Sequence, residues 1–159
     1  MNPKKPVPER RRFPRFPVMQ GMIEPITVNF DLETPPRASR APRNQPAILT
    51  NLSAGGMSLL MFLEPPKTRR IDMVLNLPGL SDVPIEGKVV RISEKGQTFN
   101  VGIAFTRIAK RHQERIIGMA QDNLDCETRI SLKLPEVCVE TCTFHSLCAK
   151  PQKGPYWPK

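Results

Sequence analysis

The sequence predicts a mostly β protein, a small barrel or sandwich of about six short strands followed by one amphipathic helix. Three observations predict this class. Apolar and polar residues alternate in several short runs that end at Gly or Pro, and a helical period is found in only one segment. Eighteen prolines against nine glycines disfavour a helical bundle and favour short strands and turns. The 159 residues are 39% apolar, enough for one small core, so we expect a single domain with flanking arms.

The predicted strands follow one another along the chain and are separated by turn residues. They cover residues 18–32, 47–52, 57–63, 70–77, 85–92 and 99–105. A loop that contains several prolines and arginines, residues 33–46, separates the first two strands. The next three strands end at the pairs Gly55-Gly56, Pro65-Pro66 and Pro78-Gly79. Residues 94–97 join the last two strands in a predicted hairpin.

Apolar residues recur at helical spacing only after the last strand, at Ile116, Ile117, Ala120 and Leu124. Basic and polar residues flank them, which predicts an amphipathic helix over residues 109–123 that closes one end of the barrel. We therefore divide the chain into three parts. These are a flexible, basic N-terminal arm (residues 1–15), the barrel with its helix (residues 16–124) and a tail that contains all four cysteines (residues 125–159).

The net charge is +9, from 24 Lys and Arg against 15 Asp and Glu, and it favours anionic partners such as a nucleotide, a nucleic acid or an acidic protein surface. The arm carries six cationic side chains and one acidic one. Such a segment buries too little to offset its ordering entropy, so we expect it to be mobile until an anion holds it. No apolar run approaches the roughly 18 residues of a spanning helix, and no apolar stretch follows the basic N-terminus. We expect a soluble, cytoplasmic protein without a transmembrane segment.

Two arginines of the arm, Arg11 and Arg15, are candidate anion ligands. Pro14 removes a backbone donor and disfavours helix at Phe13, so this segment is a turn or extended. Four extended residues span roughly 13 Å, and two guanidinium groups at that separation can hold separate parts of one anion. Arginine forms paired hydrogen bonds with phosphates and with the O6/N7 edge of guanine. Taken alone, however, such a run is more often a solvated, unselective arm.

A second candidate site lies in residues 51–56, between the second and third predicted strands. Asn51 and Ser53 are two residues apart and therefore face the same side of the strand end. An amide and a hydroxyl can both donate and accept hydrogen bonds, which suits a purine edge or a phosphate oxygen. Gly55 and Gly56 permit positive φ and a close approach of ligand to backbone. Taken alone, the segment also fits an ordinary turn between two strands.

Together, the Arg-x-x-x-Arg and Asn-x-Ser-x-x-Gly motifs, in this order on this strand pattern, resemble the PilZ family. The resemblance runs from about residue 9 to residue 124 and includes the strand at residues 100–105 and the helix after it. It implies a six-stranded antiparallel barrel that is a bacterial receptor for cyclic di-GMP. The ligand-binding residues that it implies are Arg10, Arg11 and Arg15 in the arm and Asn51, Ser53 and Gly56 on the barrel.

The resemblance implies signalling without catalysis. The arm folds over the dinucleotide and an unidentified effector protein reads the changed surface, with motility, pilus function, secretion or exopolysaccharide synthesis as outputs.

The sequence departs from the family pattern in two ways. Residues 16–50 are longer than the family usually shows, and no aromatic residue is assigned to stack on a guanine. The alternatives are a PilZ-like adaptor that binds no nucleotide, which the presence of both motifs disfavours, and a basic barrel that binds nucleic acid. No Ser–His–Asp or paired-carboxylate arrangement is visible, so we expect no enzyme.

The tail contains the candidate metal ligands Cys126, Cys138, Cys142 and Cys148. Disulfides are not expected in a cytosolic bacterial protein, whereas four thiols could bind zinc or an iron–sulfur cluster. The Cys-x3-Cys-x5-Cys spacing differs from the Cys-x2-Cys of common zinc modules. Cysteines without a ligand are the alternative. This part of the chain lies outside the resemblance.

Overall fold

The computed structural model describes residues 12–18, 26–30, 44–65 and 70–152. Within these ranges the chain forms seven strands. They are β1 (Arg15–Pro17), β2 (Ile26–Phe30), β3 (Asn44–Ser53), β4 (Gly56–Met61), β5 (Arg70–Leu77), β6 (Leu80–Lys95) and β7 (Thr98–Ile108). One α-helix, α1 (Lys110–Ser131), follows β7, and a short 3-10 helix, His145–Leu147, lies in the tail.

Six of the strands close an antiparallel barrel, which confirms the predicted fold class. The order around the barrel is β3, β2, β5, β6, β7 and β4, and β4 pairs back with β3. The short β1 lies outside this closed ring. It pairs with residues 51–53 of β3, beyond residues 44–47 where β2 pairs with the same strand. β1 and β2 therefore share one edge of β3, and β4 occupies the other edge.

Apolar side chains alternate into the barrel, and one face of each strand forms the core. In β5, for example, Ile71, Met73 and Leu75 are buried, while the residues between them are exposed. The helix α1 packs on the same core through Ile116 and Met119. No helix among the described residues combines the length and the apolar character needed to cross a bilayer.

Several elements differ in extent from the sequence-based expectation. The segment 18–32, predicted as one strand, contains β2, and its residues 19–25 lie outside the described residues. β6 and β7 are longer than the predicted strands because their ladder continues to the pair Lys95↔Thr98 at a tight turn. Gly96, with a φ of 65°, allows that turn. The side chains at this end of the hairpin are exposed, and backbone pairing alone holds the two strands together. The sequence there therefore shows no alternation of apolar and polar residues from which the strands could be predicted.

The residues that follow α1 fold back along the barrel end. Phe144 and Leu147 are buried in the core, and the ring of Phe144 meets that of Phe16 edge-on with centroids 5.3 Å apart. Asp122 of α1 accepts hydrogen bonds from the backbone N and the Oγ1 of Thr143, at 2.7 and 2.6 Å. The described part of the tail therefore completes the core, and it supports β1 from beneath.

Candidate functional site

The pairing of β1 with β3 brings the two sequence motifs side by side. Arg15 lies opposite Ser53, and Pro17 lies opposite Asn51. Between them, Phe16 is fully buried opposite Leu52 and anchors β1 to the core. Because side chains alternate along a strand, burial of Phe16 turns Arg15 outward, where it is exposed. The pairing therefore holds Arg15 of the arginine motif beside Asn51 and Ser53 of the other motif.

Ser53 shapes the turn that joins β3 to β4. Its Oγ accepts a hydrogen bond from the backbone N of Gly55 at 3.3 Å and donates one to the carbonyl oxygen of Gly56 at 3.2 Å. Ser53 itself is almost fully buried. Its hydroxyl therefore holds the backbone of the turn in place, which is a role that the spacing of the motif alone does not reveal.

The two glycines are required for space, and neither adopts the positive φ that glycine permits. Among the described glycines, only Gly79 and Gly96 have positive φ. A Cβ on Gly56 would clash with the carbonyl oxygen of Ile103 on β7. A Cβ on Gly55 would lie 2.9 Å from the ring of Phe13. Close packing of backbone on backbone, and of the arm on the turn, explains why glycine occupies both positions.

The end of the arm lies over this turn. Phe13 is half-buried against Gly55, and the guanidinium carbon of Arg12 is 5.3 Å from the centre of the Phe13 ring. This cation–π contact holds a second arginine at the site, and Phe13 supplies an aromatic ring that the sequence analysis did not assign. The other two predicted arginines, Arg10 and Arg11, lie outside the described residues.

Asn51 presents an unpaired acceptor at the site. Its Oδ1 is buried and has no hydrogen-bond partner among the described residues. A buried polar atom without a partner costs free energy, on the order of 1–3 kcal/mol, and such atoms are rare in folded proteins. The amide thus sits where a ligand with N–H donors could relieve that cost.

Asn51 also borders an open cleft of about 470 Å³ on the outer face of the barrel. Its lining is polar apart from one side chain and contains no carboxylate; the residues are Thr50, Asn51, Ser58, Arg91, Ser93, Asn100 and Val101. Neither Arg15 nor Arg91 forms a salt bridge with a described residue. The cleft and the adjoining arm therefore form a cationic, hydrogen-bonding surface that suits an anion carrying polar ring edges.

The four predicted metal ligands lie around a separate, small cavity beneath the tail. Cys126, Cys138, Cys142 and Cys148 line this cavity of about 20 Å³. None of the four forms a disulfide within the described residues. Within the described residues, however, no group of three or more Cys, His, Asp or Glu side chains is arranged to hold a metal ion. Zinc or an iron–sulfur cluster in the tail stays a prediction.

The surroundings of Cys142 raise the pKa of its thiol and favour its neutral form. Burial raises the pKa of the Cys142 thiol, a hydrogen bond from the backbone of Phe144 lowers it, and the charge of Asp122 raises it further. Burial lowers the pKa of Lys150, but the bond to Glu127, at 2.8 Å, and the charges of Cys126 and Glu127 together outweigh burial and leave that pKa raised. Lys150 therefore keeps its charge, and its ion pair with Glu127 links the tail to α1.

The comparisons with known proteins agree with this architecture. The family model for the PilZ domain matches residues 9–121. The structure of the Bacillus subtilis inhibitor of motility MotI/DgrA is similar, with a TM-score of 0.52 and 16% identity. That similarity covers 80% of this chain and 54% of MotI/DgrA, so this chain spans about half the length of that protein. It supports the fold.

Two structures of YcgR from Escherichia coli are also similar. The PilZ domain of YcgR with c-di-GMP has a TM-score of 0.48 and 18% identity, covering 79% of this chain and 99% of that one. YcgR in complex with c-di-GMP has a TM-score of 0.49 and 19% identity, covering 78% and 50% of the two chains. No curated protein sequence matches the chain significantly.

Proposed function

The chain belongs to the PilZ domain family, and on that premise we propose that it is a receptor for cyclic di-GMP that passes the signal on through protein contacts. PilZ domains are nucleotide-binding receptors, and the proposal requires no catalytic step. The observation that carries it is the register of β1 on β3, which sets Arg15 opposite Ser53 and Pro17 opposite Asn51. Two motifs that are far apart in sequence thereby share one surface.

The chemistry of this surface matches the proposed ligand. Cyclic di-GMP carries two phosphodiester charges and two guanines. Arg10, Arg11 and Arg15 are proposed to bind its phosphates and guanine edges through charge-assisted, paired hydrogen bonds. The unpaired Oδ1 of Asn51 can accept from the N1–H or the exocyclic amine of a guanine.

Ser53 and Gly56 are proposed to act through the backbone of the turn. The hydroxyl of Ser53 already bonds the turn at both Gly55 and Gly56. Gly56 lets β4 approach the carbonyl of Ile103 on β7. Their part in binding is therefore to hold the turn beneath the arm, and the bare backbone at Gly55 is the surface on which Phe13 packs.

Binding is proposed to change a surface that an effector protein reads. A cationic arm that closes over a dianionic ligand loses its positive potential and gains a fixed conformation. Motility, pilus function, secretion and exopolysaccharide synthesis are all compatible outputs, and the effector is unidentified. A cytoplasmic location follows from this proposal, because the cell makes and degrades the dinucleotide there.

A competition experiment separates this proposal from its two alternatives. The full chain is titrated with fluorescent cyclic di-GMP, and unlabelled cyclic di-GMP, GTP and a short single-stranded DNA are added as competitors at two salt concentrations. We expect displacement by cyclic di-GMP alone at micromolar levels. Competition by DNA with a steep salt dependence would indicate the nucleic-acid-binding barrel. No binding of the labelled ligand would indicate the adaptor without nucleotide.

The tail adds a second, separate proposal, that its four thiols bind one zinc ion or an iron–sulfur cluster. The observation that favours it is that all four thiols line one cavity of about 20 Å³; because no three of them are arranged to hold a metal in the described residues, binding requires the tail to draw them closer together. Metal analysis of the purified chain tests it. This site is not required for the nucleotide site, which uses no cysteine.

A further inference from the structure

We propose that Arg91 is a further ligand-binding residue, which reads a guanine of cyclic di-GMP from the opposite side of the cleft to the arm. This inference rests on the proposed function and names a contact that neither sequence motif contains. Arg91 is exposed on β6 and lines the same cleft as Asn51.

A single transverse row of residues joins Asn51 to Arg91 across four neighbouring strands. Asn51 of β3 pairs with Ser58 of β4, Ser58 pairs with Gly102 of β7, and Gly102 pairs with Arg91 of β6. Strands lie about 4.8 Å apart, so the two ends of the row are separated by roughly 14 Å along the sheet. Pro17 of β1 continues the row beyond Asn51.

Both ends of this row carry a register shift. One lies between Leu49 and Asn51 in β3, and the other lies between Val89 and Arg91 in β6. A bulge inserts an extra residue, bends its strand and re-aims the neighbouring side chain, and bulges are frequent next to binding sites. Here the two bulges face each other across β4 and β7, and each is followed by a polar residue of the cleft.

The Arg91 side chain lies against Gly102 of β7, the next residue of the row. The position that a Cβ would take on Gly102 is 3.5 Å from the Cβ of Arg91 and 3.9 Å from its Nε. The side chain therefore extends over β7. Because Arg91 and Asn51 line the same cleft, a ligand that fills the cleft can contact both side chains.

The surroundings of Arg91 favour a guanine over a phosphate as its target. The cleft offers amides and hydroxyls, from Asn51, Asn100, Ser58 and Ser93, and these suit the mixed donors and acceptors of a base edge. Arg91 is unpaired by any described carboxylate, so its planar fork is available for O6 and N7. The arginines of the arm are left for the phosphates and the other guanine.

The test compares Arg91→Ala with Arg107→Ala by isothermal titration of the full chain with cyclic di-GMP. Arg107 is the matched control, because it is also an exposed arginine at the barrel surface but lines a different cleft, with Asp72 and Glu86. We expect Arg91→Ala to weaken binding by roughly ten- to hundredfold, Arg91→Lys to recover only part of the loss, and Arg107→Ala to bind within twofold of the wild type.

A second ligand tests which group Arg91 reads. In 3′,3′-cyclic GMP–AMP one guanine is replaced by adenine, and the wild type should bind it more weakly than cyclic di-GMP. In Arg91→Ala the two ligands should bind almost equally, because the adenine can occupy the position that Arg91 no longer reads. Unchanged binding of cyclic di-GMP by Arg91→Ala, or unchanged discrimination between the ligands, would overturn the inference. Absence of binding by the wild type would instead overturn the proposed function.

Discussion

Arg15 lies directly opposite Ser53 in the β1–β3 ladder, and the buried Phe16 beside it holds that register. A three-residue strand thus fixes the end of a cationic arm against a polar turn. The ligand site that we propose is built on this pairing. The predictions below separate the groups that contact the ligand from those that hold the pairing in place.

Replacement of Arg15 by Ala should abolish nucleotide binding and leave the barrel folded. Arg15 is exposed and contributes nothing to the core, so the melting temperature should stay within a few degrees of the wild type. Hydrogen bonds to charged groups are worth about 1.5–3 kcal/mol each, so loss of a paired contact should cost at least about a hundredfold in affinity. Titration calorimetry and thermal melting measure both quantities. Wild-type affinity in this variant would disprove the arginine assignment.

Replacement of Asn51 by Ala should weaken binding less than loss of Arg15, by about 1–2 kcal/mol, because neutral hydrogen bonds are lost. The same change should not destabilise the free protein. The Oδ1 that it removes is buried and has no partner among the described residues, so its loss relieves a desolvation cost. Melting curves with and without ligand measure the two effects separately. A drop in the stability of the free protein would show that Asn51 has a structural partner.

Replacement of Gly56 by Ala should destabilise the fold by about 1–3 kcal/mol, because the new Cβ meets the backbone carbonyl of Ile103. Gly118→Ala is the matched control. A Cβ on Gly118 meets only the Thr143 hydroxyl, at 3.8 Å, and helix propensity favours Ala, so this variant should be as stable as the wild type or more so. Urea denaturation of both variants gives the comparison. Equal stability of the two would show that β4 and β7 can separate without cost.

Truncation of Phe144 should lower both stability and nucleotide affinity although it lies in the tail. Its ring is buried against Phe16, which lies next to Arg15 in β1. Removal of a buried phenyl ring costs about 3–5 kcal/mol, and here it also frees β1 from the core. Exposed Leu132→Ala, in the same region, is the control. A Phe144→Ala variant that is destabilised but binds normally in the cold would show that β1 keeps its register without the tail.

If the tail holds a metal, the purified chain should contain about one zinc ion per molecule or show an iron–sulfur absorption band. The double replacement Cys138→Ser and Cys142→Ser should remove the metal.

Without metal, Cys142 should react with iodoacetamide more slowly than an ordinary thiol at neutral pH. Its raised pKa favours the neutral form in the folded state, so the associated stabilisation is present below the ordinary value of 9.0 and is lost as the pH rises through the higher folded value. Mass spectrometry under native conditions and after alkylation gives both readouts. A metal-free chain with four reactive thiols would refute the metal proposal.

The sequence was sufficient to predict the barrel and its helix, whereas the roles of the two motifs stay predictions. Alternating apolar residues mark β4 and β5, and the change of period marks α1. The pairing of β1 was not predicted, because a strand of three residues that contains Pro17 and follows Pro14 has no periodicity of its own and forms by pairing with β3. Sequence spacing also explained Gly55 and Gly56 by backbone freedom, whereas packing against Phe13 and Ile103 is the actual constraint.

Arg91 could not be predicted because its position depends on contacts that are distant in sequence. It lies in line with Asn51 only through three strand pairings and two bulges, and the apolar pattern of β6 gives no sign of either bulge. The burial of Phe144 was missed for a similar reason. It lies in a segment after α1 without a helical or strand period, and the hydrogen bonds of Thr143 with Asp122 and the contact with Phe16 hold it in the core.

The most direct test of the account is isothermal titration of the purified, full-length wild-type chain with cyclic di-GMP. We predict saturable binding with a micromolar or lower Kd, because two arginine-bearing segments and a polar cleft meet on one face of the barrel. GTP at the same concentration should give no comparable heat. Absence of saturable heat with cyclic di-GMP would contradict the account, and the pairing of Arg15 with Ser53 would then be a structural feature of the barrel without a ligand.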